Sequence, residues 1–176
     1  PAAGRSAAAS SRQHDLLALV LLWLAGGTLR LSILSVPPVL PAIQADLKLS
    51  GTEVGLLSSL PVLVFALVAL PGSLLISRVG ALRALVGGML LAALASAWRG
   101  AVGTALEPYA ATTLIGAGIA LMQPAFPPIV RQWLPQRIGF ATAVFTNGLI
   151  VGEFIPVLLM QPLVLPLVGG SWRAAL

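Results

Sequence analysis

Charged residues cut the chain into apolar tracts, and the lengths of those tracts predict its elements. Between Asp15 and Asp46 the only charge is Arg30; residues 54–77, 84–98 and 108–130 carry none, and residues 138–172 carry Glu153 alone. A bilayer core of ~30 Å is crossed by roughly 20 helical residues rising ~1.5 Å each. The pattern therefore predicts an all-α integral membrane protein with five complete transmembrane helices, near residues 15–42, 54–76, 82–102, 108–131 and 138–164. Pro162, Pro166 and Gly169-Gly170 suit a loop after the fifth, and the residues from Trp172 onward read as the start of a sixth.

Composition narrows the function. The 176 residues are 58% hydrophobic and 9% charged, against roughly a quarter charged in soluble domains. Ten Lys and Arg stand singly against five Asp and Glu, too sparse for the basic stripe that nucleic acid requires. With no Cys and His14 as the single His, zinc sites, disulfides and Ser-His-Asp chemistry lack raw materials. Neither cofactor nor metal is expected. Residues 1–14, rich in Ala and Ser, read as a disordered tail ahead of a helical bundle over 15–176. A secretory signal is the alternative for this end, but the apolar run continues for a full span without a small-residue cleavage site. The missing initiator Met suits a partial reading frame.

Orientation follows from Lys and Arg, whose translocation is disfavoured. Counted on alternate sides of the predicted helices, Arg5, Arg12, Arg78, Arg83, Arg131 and Arg137 share the amino-terminal side, against Lys48, Arg99 and Arg173 on the other. The amino terminus is expected in the cytoplasm, with Asp46, Glu53 and Glu107 outside. Trp98-Arg99 is expected as an interfacial anchor, the Arg side chain reaching the headgroups.

Two segments go beyond a generic membrane protein. Gly72-Ser-Leu-Leu-Ile-Ser77-Arg78-Val-Gly80-Ala-Leu-Arg83 resembles the loop signature of the major facilitator superfamily between its second and third helices, with Ser77 where that signature has Asp. The run from Gly116-Ala-Gly118 through Gln123-Pro124, Pro127-Pro128, Arg131 and Trp133 to Arg137-Ile-Gly139 resembles the junction of the fourth and fifth helices. With Thr146-Asn147-Gly148, Gly152-Glu153, Trp172-Arg173 and the Gly27-Thr-Leu-Arg30 of the first helix, it is similar to the branch holding cyanate permeases and 2-nitroimidazole transporters. The resemblance implies the amino-terminal half of a twelve-helix fold, with a missing carboxy-terminal half and the substrate between the halves. It also implies a gating loop at Arg78, Gly80 and Arg83.

Charges at membrane depth are costly and usually face a cavity or a partner. Arg30 lies about 22 Å up the first helix from Asp15, and Glu153 about 24 Å up the fifth from Arg137. At matching depth they either form an ion bridge or line a common polar cavity. The functional reading makes Arg30 the contact for an anionic or electron-rich solute and Glu153 a protonatable neighbour; the structural reading is a static bridge. Gln123 and Asn147, roughly 12 and 15 Å from the inner face, are candidate substrate contacts that could equally bond neighbouring helices. Pro124, Pro127 and Pro128 predict a kink beside Gln123. Gly148 with Gly152, and Gly116 with Ala120, are spaced for close helix packing, while Gly26-Gly27 would loosen the first helix beside Arg30. The expected function is a secondary transporter of a small polar or anionic solute, with a proton as candidate co-substrate, in a bacterial inner membrane. A passive channel, a scaffold and an intramembrane enzyme are the alternatives, the last lacking a nucleophile–base pair at matching depth.

Overall fold

The computed structural model describes residues 2–176, with side chains from Gln13 onward apart from Ala69. The stretch 1–14, expected as a disordered tail, is helical from Ala2 and continuous with the rest of α1, with Gln13 and His14 exposed. The described residues form helices joined by short turns: α1 (Ala2–Leu34), α2 (Leu40–Leu47), α3 (Gly51–Val79), α4 (Ala81–Arg99), α5 (Glu107–Met122), α6 (Phe126–Trp133), α7 (Ile138–Leu159), α8 (Leu165–Leu167) and α9 (Trp172–Ala175). They compose five stretches long and apolar enough to cross a membrane: Gln13–Leu47, Gly51–Val68, Ala81–Arg99, Glu107–Trp133 and Ile138–Leu167.

Local chemistry sets the breaks. Pro37-Pro38 remove two backbone donors, so the first stretch passes from α1 through a tight 3-10 turn (Pro37–Val39) into α2 instead of running on as one helix to 42. At the start of α3, the Ser50 hydroxyl accepts from the Glu53 amide at 3.3 Å while the Glu53 carboxylate accepts from the Ser50 amide at 2.7 Å, a reciprocal cap. Gly80 alone joins α3 to α4, at φ 89°; a side chain there would be strained, so the sharpest turn of the bundle sits on a glycine. The third helix ends at Arg99 rather than 102, where Gly100 caps it. After α7, Pro162 is absorbed in a π-helical turn (Met160–Val164) and α8 continues the span to Leu167, so the loop begins beyond Pro166 instead of at Pro162. Gly169 and Gly170, both at positive φ, form that loop. Ser171 then caps α9, the start expected for a sixth helix.

Three close pairings hold the bundle: α1 with α7, α4 with α5, and α3 with α5. Small residues permit the closest of them. A methyl group on Gly148 would meet the Trp23 backbone carbonyl, and one on Gly152 that of Gly27, so α1 and α7 touch backbone to backbone. The expected loosening at Gly26-Gly27 does not occur: α1 is continuous there. These glycines serve the contact instead, because a Cβ on Gly26 would strike the Phe145 carbonyl.

Apolar burial falls into two clusters. One gathers Leu22, Leu29, Ile115, Ile119, Phe126 and Ile129 toward the end bearing Arg78, Arg83, Arg131 and Arg137, the basic end. The other gathers Val39, Ile43, Leu49, Leu57, Val102 and Trp172 toward the opposite end. The division falls at one level on several helices, between Leu29 and Val39 along the first span and between Ala95 and Val102 after the third. The candidate site lies there.

The α1–α7 contact makes a matched prediction. Gly152→Ala should destabilise the detergent-purified protein by about 1–3 kcal/mol, since backbone must move, whereas Gly87→Ala, with open space around its Cβ position, should leave thermal stability unchanged or raised. Equal melting temperatures for both variants would contradict the packing.

Candidate functional site

Backbone contact between α1 and α7 brings Arg30 and Glu153 into register. The Arg30 Nε lies 3.3 Å from a Glu153 carboxylate oxygen, with the side chains 36% and 41% exposed. The geometry is an ion pair without a well-aligned Nε–H bond, and that nitrogen itself is buried and otherwise unpartnered. The pair is thus half open. Of the two expected arrangements the ion bridge is formed, while the common cavity is not: Arg30 lines a hollow and Glu153 does not border it.

That hollow, about 210 Å³, lies between α1, α3 and α5, bounded by Ser32, Ser58, Pro61, Phe65 and Thr112 as well as Arg30. It is smaller than the ~300–1,000 Å³ typical of drug-sized pockets, so it fits a small solute. Its wall also includes Arg99. The headgroup-anchor expectation for Arg99 is incorrect: the residue is 3% exposed and points into the bundle. Its Nη2 donates to the Ser32 carbonyl on α1 at 3.3 Å and to the hydroxyl of Ser35, in the turn just after α1, at 3.2 Å, while Trp98 stays exposed at the surface. The missed signal was register. Arg99 continues the buried stripe Gly88, Ala92 and Ala95 of α4 at helical spacing, and this face is pressed on α5.

Gln123 and Asn147 lie elsewhere. Gln123 opens the 3-10 turn Gln123–Ala125 that kinks the fourth span before Pro127-Pro128. It borders two hollows nearer the basic end, one with Phe126, Arg131 and Thr142, the other with Phe65 and Pro124. Phe65 faces both that second hollow and the arginine cavity, and so stands between them. The Asn147 carbonyl accepts from the Trp23 indole N–H at 2.9 Å, a bond between α7 and α1. The candidates therefore divide into an Arg30–Glu153 group and a Gln123 group, with Asn147 engaged by Trp23. At the basic end, Arg78 and Arg83 are exposed on either side of the Gly80 turn.

Residues 22–176 match the sequence profile described as Major Facilitator Superfamily. The chain belongs to the major facilitator superfamily. Among relatives of this superfamily member, an uncharacterized transporter of Bacillus subtilis (strain 168), YycB, is 29% identical over 147 residues, 84% of this chain and 36% of the relative. A 2-nitroimidazole transporter of Escherichia coli (strain K12) is 28% identical over 85% of this chain and 37% of its own length. The cyanate transport protein CynX of the same strain is 28% identical over 76% and 35%. The chain spans little more than a third of the length of these relatives.

In this facilitator the ion pair makes a direct prediction. A double-mutant cycle on Arg30→Gln and Glu153→Gln, read by thermal unfolding in detergent, should give a coupling energy of about 0.5–3 kcal/mol, the range for contacting residues. Strictly additive single losses would contradict the contact.

Proposed function

We propose that this chain is the amino-terminal part of a secondary active transporter that moves a small polar or anionic solute by alternating access across a bacterial inner membrane, basic end in the cytoplasm. The observation carrying this reading is a small cavity at the level where the two apolar clusters part, walled by two arginines, one of them paired with a carboxylate. An always-charged guanidinium is an expensive way to pin helices together in hydrocarbon, and a planar donor fork suits an anion. The relatives named for 2-nitroimidazole and cyanate transport support small electron-rich or anionic solutes of that class.

In this reading Arg30 holds the solute and Glu153 is the proton carrier. The anion joins Arg30 while Glu153 is ionised, and a proton then taken up by Glu153 travels with it, which ties proton movement to solute movement. Gln123, beside the kinked turn and across Phe65 from the arginine cavity, is the next contact as solute passes toward the basic end. Asn147 holds α1 to α7 through Trp23 and retains its amide N–H groups for the solute path. The turn at Arg78, Gly80 and Arg83 is the gating loop, its arginines meeting the cytoplasmic headgroups.

Uptake by the full-length protein, with cyanate-like anions and nitroimidazoles and with or without a proton gradient, tests this. Arg30→Ala should lower kcat/KM for an anion roughly 10–150-fold, from the ~1.5–3 kcal/mol carried by a hydrogen bond to a charged group. Glu153→Gln should remove the dependence on the gradient. Normal transport by folded Arg30→Ala and Arg30→Lys variants would overturn the assignment.

A further inference from the structure

Arg99 is the most deeply buried charge among the described residues, at 3% exposure. The described residues contain two ion pairs, Arg30–Glu153 and Arg173–Asp46, and Arg99 is in neither. The carboxylates Glu53 and Glu107, at the same end of the bundle as Arg99, are engaged locally: Glu53 on the Ser50 cap and Glu107 on the Gly103 amide. What Arg99 does have is neutral. Both of its hydrogen bonds leave from Nη2, to a backbone carbonyl of α1 and to the Ser35 hydroxyl just beyond it, while its Nε–H is buried with no partner among the described residues.

Arg99 and Ser32 line the cavity shared with Arg30. Ser32 and Ser35 turn the Arg99 fork without neutralising it, as neutral oxygens do for a guanidinium whose counter-charge arrives separately. Among the described residues the charges at this level are two guanidinium groups and one carboxylate, one positive charge in excess.

We propose that Arg99 is a second anion-binding residue and that the cavity takes a single small monoanion between Arg30 and Arg99, Ser32 and Ser35 positioning the Arg99 fork. This rests on the transport reading and deepens it by assigning the solute's charge and its second contact. A monoanion balances the site while Glu153 remains ionised; a dianion would overbalance it, and a neutral solute would leave Arg99 uncompensated. Cyanate, formate and nitrite are of suitable size and charge for the hollow.

The test is binding by the purified full-length protein, read as the thermal shift produced by sodium cyanate, formate or nitrite at fixed ionic strength and mildly acidic pH, with sulfate and 2-nitroimidazole, whose N–H stays protonated at that pH, for comparison. The wild-type protein should be stabilised by one or more monoanions and not by sulfate. Arg99→Gln should raise the apparent Kd for the monoanion at least tenfold, and Arg99→Lys, which keeps the charge but lacks the fork, should recover part of it. Ser35→Ala provides a milder variant in case Arg99→Gln does not fold, and should raise the same Kd severalfold. Unchanged monoanion binding in Arg99→Lys and Ser35→Ala, with binding lost in Arg30→Gln, would overturn the role of Arg99 and leave the transport reading standing. Arg99 would then be answered by a carboxylate elsewhere in the full-length protein. No stabilisation of the wild type by any monoanion, with stabilisation by 2-nitroimidazole, would overturn the charge assignment while preserving transport of a neutral solute. No response to any of them, together with absent uptake, would remove the transport reading itself.

Discussion

Placing a guanidinium in hydrocarbon costs about 2.5–3.5 kcal/mol on insertion scales, and the body of this bundle contains two. That cost has to be offset by an opposite charge, by hydrogen bonds or by water, and each arginine uses a different combination. Arg30 takes a carboxylate on the neighbouring span; Arg99 takes a carbonyl and a hydroxyl. Both border the same hollow. Much of the architecture around them makes these compensations possible. The Gly148–Trp23 and Gly152–Gly27 backbone contacts draw α7 onto α1 closely enough for Glu153 to reach Arg30, and the small-residue face of α4 lets that helix sink into α5 until Arg99 meets α1.

The consequence is a core in two tiers with a polar belt between them. The belt runs through Arg30 and Ser32 on α1, Ser35 in the turn after it, Arg99 on α4, Thr112 on α5 and Glu153 on α7. On its far side a clamp closes the bundle, as Arg173 pairs with Asp46 at 2.6 Å and donates through Nε to the Val102 carbonyl at 3.0 Å. Trp172, buried beneath it, donates to the same Asp46 at 3.2 Å. This clamp joins the short α2 and α9 segments at the end opposite Gly80, the single residue that joins α3 to α4.

Spans and the depth of Arg30 and Glu153 were legible in the sequence because both follow from counting: charges bound apolar tracts, and helical rise converts residue number to height. Packing glycines were legible at Gly148 and Gly152 for the same reason, since their spacing of four fixes a face. What counting could not supply was the direction of a side chain at a helix end. Arg99 beside Trp98 has the composition of a headgroup anchor, and only its register with Gly88, Ala92 and Ala95 marks it as inward. The prolines show the same limit. Pro37-Pro38 broke a span that composition alone runs straight through, while Pro162 was accommodated by a π turn that kept the span going. Gln123 and Asn147 looked equivalent by height, but a long-range partner, Trp23, separates them.

Whether the arginine cavity is wet is decisive, and since these 176 residues contain no cysteine, a single cysteine introduced among them can be read in full-length protein whose other cysteines are replaced. Ser58 lines the cavity, whereas Leu94 lies 70% exposed on the outer face of α4. With a membrane-impermeant thiol reagent on full-length protein in lipid vesicles, Ser58→Cys should be labelled and Leu94→Cys should not, with labelling at Ser58→Cys slowed by a small monoanion. A Ser58→Cys variant as inert as Leu94→Cys in vesicles of both orientations would show the arginines sealed in apolar surroundings and contradict a solute passage beside them.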